Sequence, residues 1–133
     1  MSLDGKTIFY IEDDPNNRDV VQMIVESAGA KIEFDRWGFP ELIISKIRAA
    51  HPDLILLDLM FPANVSGYDV FDVIHQFPAF KNIPVVAISA SDPTLEIPKT
   101  RARGFSGFIS KPINIHSFNT QLAQILDGQE IWE

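Results

Sequence analysis

The chain has 133 residues, 46% hydrophobic and 22% charged, which suits one domain with a real core. Its net charge of −7 argues against direct nucleic-acid binding, which needs a basic patch, and the absence of cysteine excludes disulfide frameworks and thiolate metal sites. No apolar run approaches the roughly 20 residues that span a bilayer, so membrane insertion is not expected, and the start Met1-Ser2-Leu3-Asp4-Gly5 has no signal-peptide pattern, so a cytoplasmic location is.

Thr7–Ile11 reads as a buried strand. Asp14 before Pro15 suits a helix N-cap, and Val20, Val21, Ile24 and Val25 then recur at helical spacing until near Gly29. Lys31–Asp35 alternates like a half-exposed strand. Pro40 opens a helix with Leu42, Ile43, Ile44 and Ile47 turned inward, ending near His51 and Pro52. Asp53–Asp58 is a short apolar run bounded by acids, the mark of a central parallel strand. Phe61–Gly67, with its Pro, Asn, Ser and Gly, reads as a loop. Tyr68–Phe77 is a predicted helix and Ile83–Ser89 a buried strand. The pairs Trp37/Phe39 and Phe77/Phe80 are expected in the core or at its edge. Pro93 suits a first helical turn, but Pro98 would break an interior, so the fourth helix is expected to be short and to begin near Pro98. Gly107–Ser110 is a short strand and Ile113–Leu126 an amphipathic helix.

Five strands thus alternate with five helices in one domain, residues 1–133 with a core of about 7–127. This is the α/β pattern of a doubly wound, five-stranded parallel sheet covered on both faces. Ligands of such sheets bind beyond the carboxyl ends of the strands, where the strand order reverses. Those ends are Glu12-Asp13-Asp14, Asp58, Ser89 and Ser110-Lys111. Converging carboxylates repel one another unless a cation lies among them, and hard oxygen donors suit Mg²⁺. Taken singly, each acid could be a solvated cap, Ser89 a turn residue, Lys111 a surface lysine and Phe108 a core ring. Four strand ends in order carry more weight than any one. His51, His75 and His116 lack metal-ligand spacing and read as surface or capping residues.

Glu12-Asp13-Asp14, Leu56-Leu57-Asp58-Leu59-Met60-Phe61-Pro62, Ala87-Ile88-Ser89-Ala90 and Ser110-Lys111-Pro112 together resemble the receiver domains of response regulators, from about Thr7 to Leu126. The resemblance implies a flavodoxin-like strand order 2-1-3-4-5 and a phosphoacceptor at Asp58. It implies Mg²⁺ as cofactor, held by Asp13 directly, by Glu12 largely through water, by Asp58 and by the backbone carbonyl of Met60. Ser89 and Lys111 would bond phosphoryl oxygens, Ser89 and Phe108 would form a switch, and Pro112 would follow a cis peptide. The implied partners are a sensor histidine kinase or phosphotransfer protein and a downstream protein. The chain would catalyse only its own phosphorylation and slow dephosphorylation. A pseudo-receiver, the same fold used as a phosphorylation-independent interaction module, is the alternative. A flavodoxin would need a Ser/Thr-rich phosphate loop after the first strand, where this chain has acids. A haloacid-dehalogenase-type phosphatase would need Asp at position 60, which is Met60. The chain departs from the family pattern by one extra residue between Asp58 and Gly67, and by Ser66 where Asp is usual. It ends soon after the last helix, so no effector domain is expected.

Overall fold

The computed structural model describes residues 2–36, 39–61 and 66–133, with backbone only at 40 and 41. Strands and helices alternate along it: β1 (Thr7–Ile11), α1 (Pro15–Ser27), β2 (Lys31–Asp35), α2 (Pro40–Ala50), β3 (Leu54–Asp58), α3 (Gly67–His75), β4 (Val85–Ser89), α4 (Pro93–Arg103), β5 (Gly107–Ser110), α5 (Phe118–Leu126) and β6 (Ile131–Trp132). All strand pairs are parallel, in the order β2-β1-β3-β4-β5-β6. The order 2-1-3-4-5 is therefore present. The sixth strand departs from the five-stranded expectation, because two residues are too few to show a period.

Side chains alternate across the sheet and so divide the core in two. On one face Tyr10, Leu56 and Ile88 pack with Val21, Ile24 and Val25 of α1 and with Phe118 and Leu122 of α5. On the other, Phe9, Leu57 and Ala87 pack with Ile43 and Ile47 of α2 and with Val70, Phe71 and Ile74 of α3. β3 and β4 are buried at every position, which is why their sequences run apolar without a break. Each such side chain contributes about 2 kcal/mol, so the doubly covered centre of the sheet is its firmest part. The site grows from the ends of those strands.

Local signals set the helix starts. The Asp14 carboxylate accepts from the Asn16 N–H at 2.8 Å, with Pro15 in the first turn of α1. Ser66 caps α3 by accepting from the Tyr68 N–H at 3.1 Å. Asp92 caps α4 by accepting from the Thr94 N–H at 3.0 Å.

That last cap corrects one expectation. α4 begins at Pro93, not near Pro98, and carries Pro98 in its interior. Pro98 removes one donor, but the carbonyl it strands belongs to exposed Thr94, where water can replace the bond. The Thr100 hydroxyl also donates to the carbonyls of Glu96 and Ile97, both at 3.0 Å, and ties the same turn. The last helix is shorter than expected, starting at Phe118 rather than Ile113. Asn114 accepts the His116 N–H at 2.8 Å in an Asx turn, which competes with helix there. Val20, Leu42 and Phe39 are exposed rather than inward, since the buried stripes of α1 and α2 are narrower than the apolar pattern. Trp37 lies outside the described residues. Phe80 is buried and Phe77 half-buried, as expected. His51 closes α2 in the left-handed conformation, and all three histidines are exposed.

Candidate functional site

β1, β3, β4 and β5 end on one edge of the sheet, where the order turns outward from β1 and β3. Glu12 follows β1, Asp58 closes β3, Ser89 closes β4 and Lys111 follows β5. The parallel ladders place Asp58 beside Ile88 and Ser89 beside Ser110. Carboxylate oxygens of Glu12, Asp13 and Asp58 all lie within 4.8 Å of one another. Asp14, the third acid of the run, points elsewhere: it is exposed and spent on capping α1.

Lys111 reaches across the edge. Its Nζ donates to Glu12 Oε1 at 2.9 Å and to Asp58 Oδ2 at 3.5 Å. Asp58 Oδ1 accepts from the Met60 N–H at 3.3 Å. Glu12 is fully buried. Its Oε1 also accepts from the Tyr10 hydroxyl and from Asn17 Nδ2, each at 3.0 Å. Neither Tyr10 nor Asn17 is among the residues expected in the site. Tyr10 was legible in principle, because residues two apart on a strand share a face. Asn17 lies in the first turn of α1, which the Asp14 cap and Pro15 set directly beneath Glu12.

Glu12 Oε2, by contrast, is buried and takes no hydrogen bond. A buried carboxylate oxygen without a donor is costly. Burial, followed by the close approach of the Glu12 carboxylate, pushes the Asp58 carboxyl up to about 7, against a weaker pull from Lys111. Burial also raises Glu12, but its interactions with Asp58 and Lys111 outweigh that and hold it at about 2. For Lys111 burial alone would favour loss of its proton. The hydrogen bond to Glu12 and the charges of Asp58 and Glu12 reverse this and raise its pKa. The Tyr10 phenol is raised by burial and by Glu12, so it stays protonated as a donor. The edge therefore holds three carboxylates against one ammonium, with one oxygen unsatisfied. A small hard dication fits that donor set.

The other expected residues are placed as follows. Ser89 is buried, and its hydroxyl oxygen accepts from the Ser91 N–H at 3.0 Å. Phe108 is 0% exposed, packed in the same cluster as Phe9, Ala87 and Phe105. The Lys111–Pro112 peptide is cis. Met60 is 68% exposed, and its sulfur accepts from the Ser91 hydroxyl at 3.7 Å. Residues 62–65 of the expected loop, Pro62 included, lie outside the described residues. The chain around them is pinned where Met60 pairs with Ser66 and the Gly67 N–H donates to the Leu59 carbonyl at 2.9 Å. Gly67 is required there, because a Cβ would collide with the backbone of Asp58 and Leu59. A cleft of about 300 Å³ lined by Phe71, His75, Ile83 and Gln129 lies at the opposite end of the sheet and takes no part in this edge.

The family model of the response regulator receiver domain matches residues 8–123. The chain belongs to that family. It is 31% identical over 113 residues to the polar-differentiation response regulator DivK of Brucella ovis, spanning 85% of this chain and 89% of that one. It is 29% identical over 111 residues to protein PilG of Pseudomonas aeruginosa, spanning 84% and 80%. Among solved structures, the chemotaxis response regulator CheY4 of Vibrio cholerae superposes with a TM-score of 0.80 at 19% identity, over 90% of this chain and 98% of that one. The signal receiver domain of a signal transduction histidine kinase from Syntrophus aciditrophicus superposes with a TM-score of 0.79 at 26% identity, over 93% and 92%. Among the described residues no helix is long and apolar enough to cross a membrane.

Proposed function

We propose that the chain is a phosphoacceptor in two-component or phosphorelay signalling, and that Asp58 takes a phosphoryl group from the phosphohistidine of a sensor histidine kinase or phosphotransfer protein. The observation that carries this is the pairing of a buried Asp58 with Lys111 on one side and, on the other, a carboxylate cluster holding an unsatisfied buried oxygen. An Asp58 oxygen attacks phosphorus in line while the phosphorus–nitrogen bond to the donor imidazole breaks. The imidazole keeps the bonding electron pair and takes up a proton, leaving an acyl phosphate on Asp58.

Mg²⁺ bound by Asp13, Asp58 and the Met60 carbonyl, with Glu12 acting largely through water, would supply the positive charge that lets a carboxylate approach a phosphoryl group. Lys111 shifts from its present carboxylates to a phosphoryl oxygen, a move within reach of its 3.5 Å contact with Asp58. Ser89 donates its hydroxyl proton, which the bond from the Ser91 N–H leaves free, to another. Tyr10 and Asn17 keep Glu12 charged and fixed while this happens. The readout is a downstream protein partner, with no external substrate turned over, in the cytoplasm. The test is incubation with acetyl phosphate and Mg²⁺, with phosphate incorporation followed by intact mass. Wild-type protein should gain one phosphoryl group, and Asp58→Asn should gain none. Equal labelling of the two would refute the assignment. Failure of both to label would leave the pseudo-receiver reading standing.

A further inference from the structure

Glu12 is held by one oxygen only. Tyr10 of β1, Asn17 of α1 and Lys111 after β5 all donate to its Oε1, at 3.0, 3.0 and 2.9 Å. An ionised carboxylate has about four lone-pair sites on its two oxygens. Three donors therefore crowd Oε1, while buried Oε2 meets no donor among the described residues. The backbone is fixed as well, since the Glu12 N–H donates to the Asp35 carbonyl at 2.9 Å. Tyr10 is fully buried, and its ring belongs to the core cluster that holds Val21, Val25 and Phe118. Any large apolar side chain could fill that volume. A phenol also carries a donor to its polar tip, and Tyr10 delivers it to Glu12, two residues along the same face of the strand. Asn17 approaches from the first turn of α1, whose start the Asp14 cap sets.

A carboxylate fastened in this way cannot turn to offer both oxygens to a cation. That restraint acts differently on different ions. Ca²⁺ takes about 6–8 oxygen ligands in flexible geometry and readily accepts a bidentate carboxylate, whereas Mg²⁺ is smaller, demands near-octahedral order and keeps several waters. We propose that Tyr10 and Asn17 are positioning residues that set the cation specificity of this edge. By holding Glu12 through Oε1 they bar it from closing on a cation with both oxygens, and so favour Mg²⁺ over Ca²⁺. This specificity rests on the reading of the edge as a cation site, made above. The same anchors free Lys111 to move. When the ammonium leaves Glu12 for a phosphoryl oxygen, two donors stay on Oε1 and the carboxylate does not follow.

The experiment uses the full chain, isotopically labelled and titrated separately with Mg²⁺ and with Ca²⁺ at constant ionic strength. Each Kd is read from amide resonance shifts at Asp13 and Asp58. Wild type should bind Mg²⁺ more tightly than Ca²⁺. Tyr10→Phe keeps the ring in the core and removes only the donor. Asn17→Ala removes the other donor from a half-buried position, and it decides the matter should the core substitution fail to fold. Each variant should lower the ratio of the Ca²⁺ Kd to the Mg²⁺ Kd by about threefold or more, as the loss of one hydrogen bond implies. Resonances of β4 should stay in place. In a Glu12→Gln background, Tyr10→Phe should leave the ratio unchanged, because Tyr10 acts through that carboxylate alone. A ratio that stays put in Tyr10→Phe and Asn17→Ala, even with both affinities weakened together, would show that the anchors serve the fold only and would overturn the proposal. An equal drop in the Glu12→Gln background, or a wild type that binds the two ions equally well, would also overturn it. A wild type that binds neither ion would remove the cation site itself, a result distinct from Mg²⁺ binding with an unmoved ratio.

Discussion

Asp58 and Glu12 oppose each other in their effect on stability, and the signs follow from their pKa values. Asp58 rises from 3.8 to about 7 on folding. The native state therefore binds more protons than the unfolded chain between those values, and this contribution to stability falls as pH rises through that window. Glu12 drops from 4.5 to about 2 on folding. Its contribution is full above pH 4.5 and is lost as pH falls toward 2. Without divalent cations, Asp58→Asn should raise stability at alkaline pH by about 1–4 kcal/mol, measured by urea unfolding in chelator. Mg²⁺ should narrow the gap by stabilising the wild type. A variant less stable than wild type under those conditions would show that Asp58 is not strained by its neighbours. Asp13→Ala should weaken Mg²⁺ binding, followed by amide resonance shifts, whereas unchanged affinity would remove Asp13 from the ligand set. Met60 makes a third case. Its exposed side chain, two residues after Asp58, is tied to Ser91 across the same edge, and under the proposed function it would lie over the path of a hydrolytic water. A thioether holds water poorly. The phosphorylated form should decay several-fold faster in Met60→Asn than in wild type, in excess chelator, and equal or slower decay would mean that Met60 does not shield the bond.

At the scale of elements, α4 carries the clearest stored cost. Pro98 sits inside it with one backbone bond missing. Pro98→Ala restores the N–H that can donate to the Thr94 carbonyl and should raise stability by about 1–3 kcal/mol in thermal unfolding. A drop would mean that the surrounding turn depends on proline geometry. The strands and most helices were legible because each carried a local signal of its own. β3 and β4 ran apolar from end to end, and Asp14-Pro15 announced the start of α1. α4 was misread because Pro98 was weighed as a breaker, without the Asp92 cap and the Thr100 hydroxyl that support the turn around it. β6 could not be read at all, since its partner lies some 24 positions away in sequence, Ile131 against Gly107, and nothing local marks it. Phe108 is already fully buried beside β6. A beryllofluoride complex and a ligand-free crystal should therefore differ at the Ser89 hydroxyl while the Phe108 ring stays within the core. An exposed ring in either crystal would contradict that.

Across the whole molecule, the sheet brings residues almost a hundred positions apart into contact, as with Lys111 and Glu12 at 2.9 Å. Strand order does this: β1 and β3 are neighbours, β4 and β5 continue the same edge, and each ends in one polar group. That is why the four corners of the site were legible as strand-end residues, whereas their supports were not. Tyr10 and Asn17 act only through Glu12, and their role depends on side-chain direction rather than on any motif. β6, paired on β5, lies one residue from Lys111, through the Ser110 hydroxyl bonded to the Glu133 carbonyl, so the Asp58 edge and the outer edge of the sheet share a strand. The central claim is that Asp58 becomes an acyl phosphate. Its most direct test is to treat the protein with acetyl phosphate and Mg²⁺, reduce it with borohydride, which converts an aspartyl phosphate to homoserine, and map the altered residue by peptide mass spectrometry. The change should fall at position 58 alone and should vanish when Mg²⁺ is replaced by chelator. Reduction at any other carboxylate, or none at position 58 in protein that has gained phosphate, would contradict it.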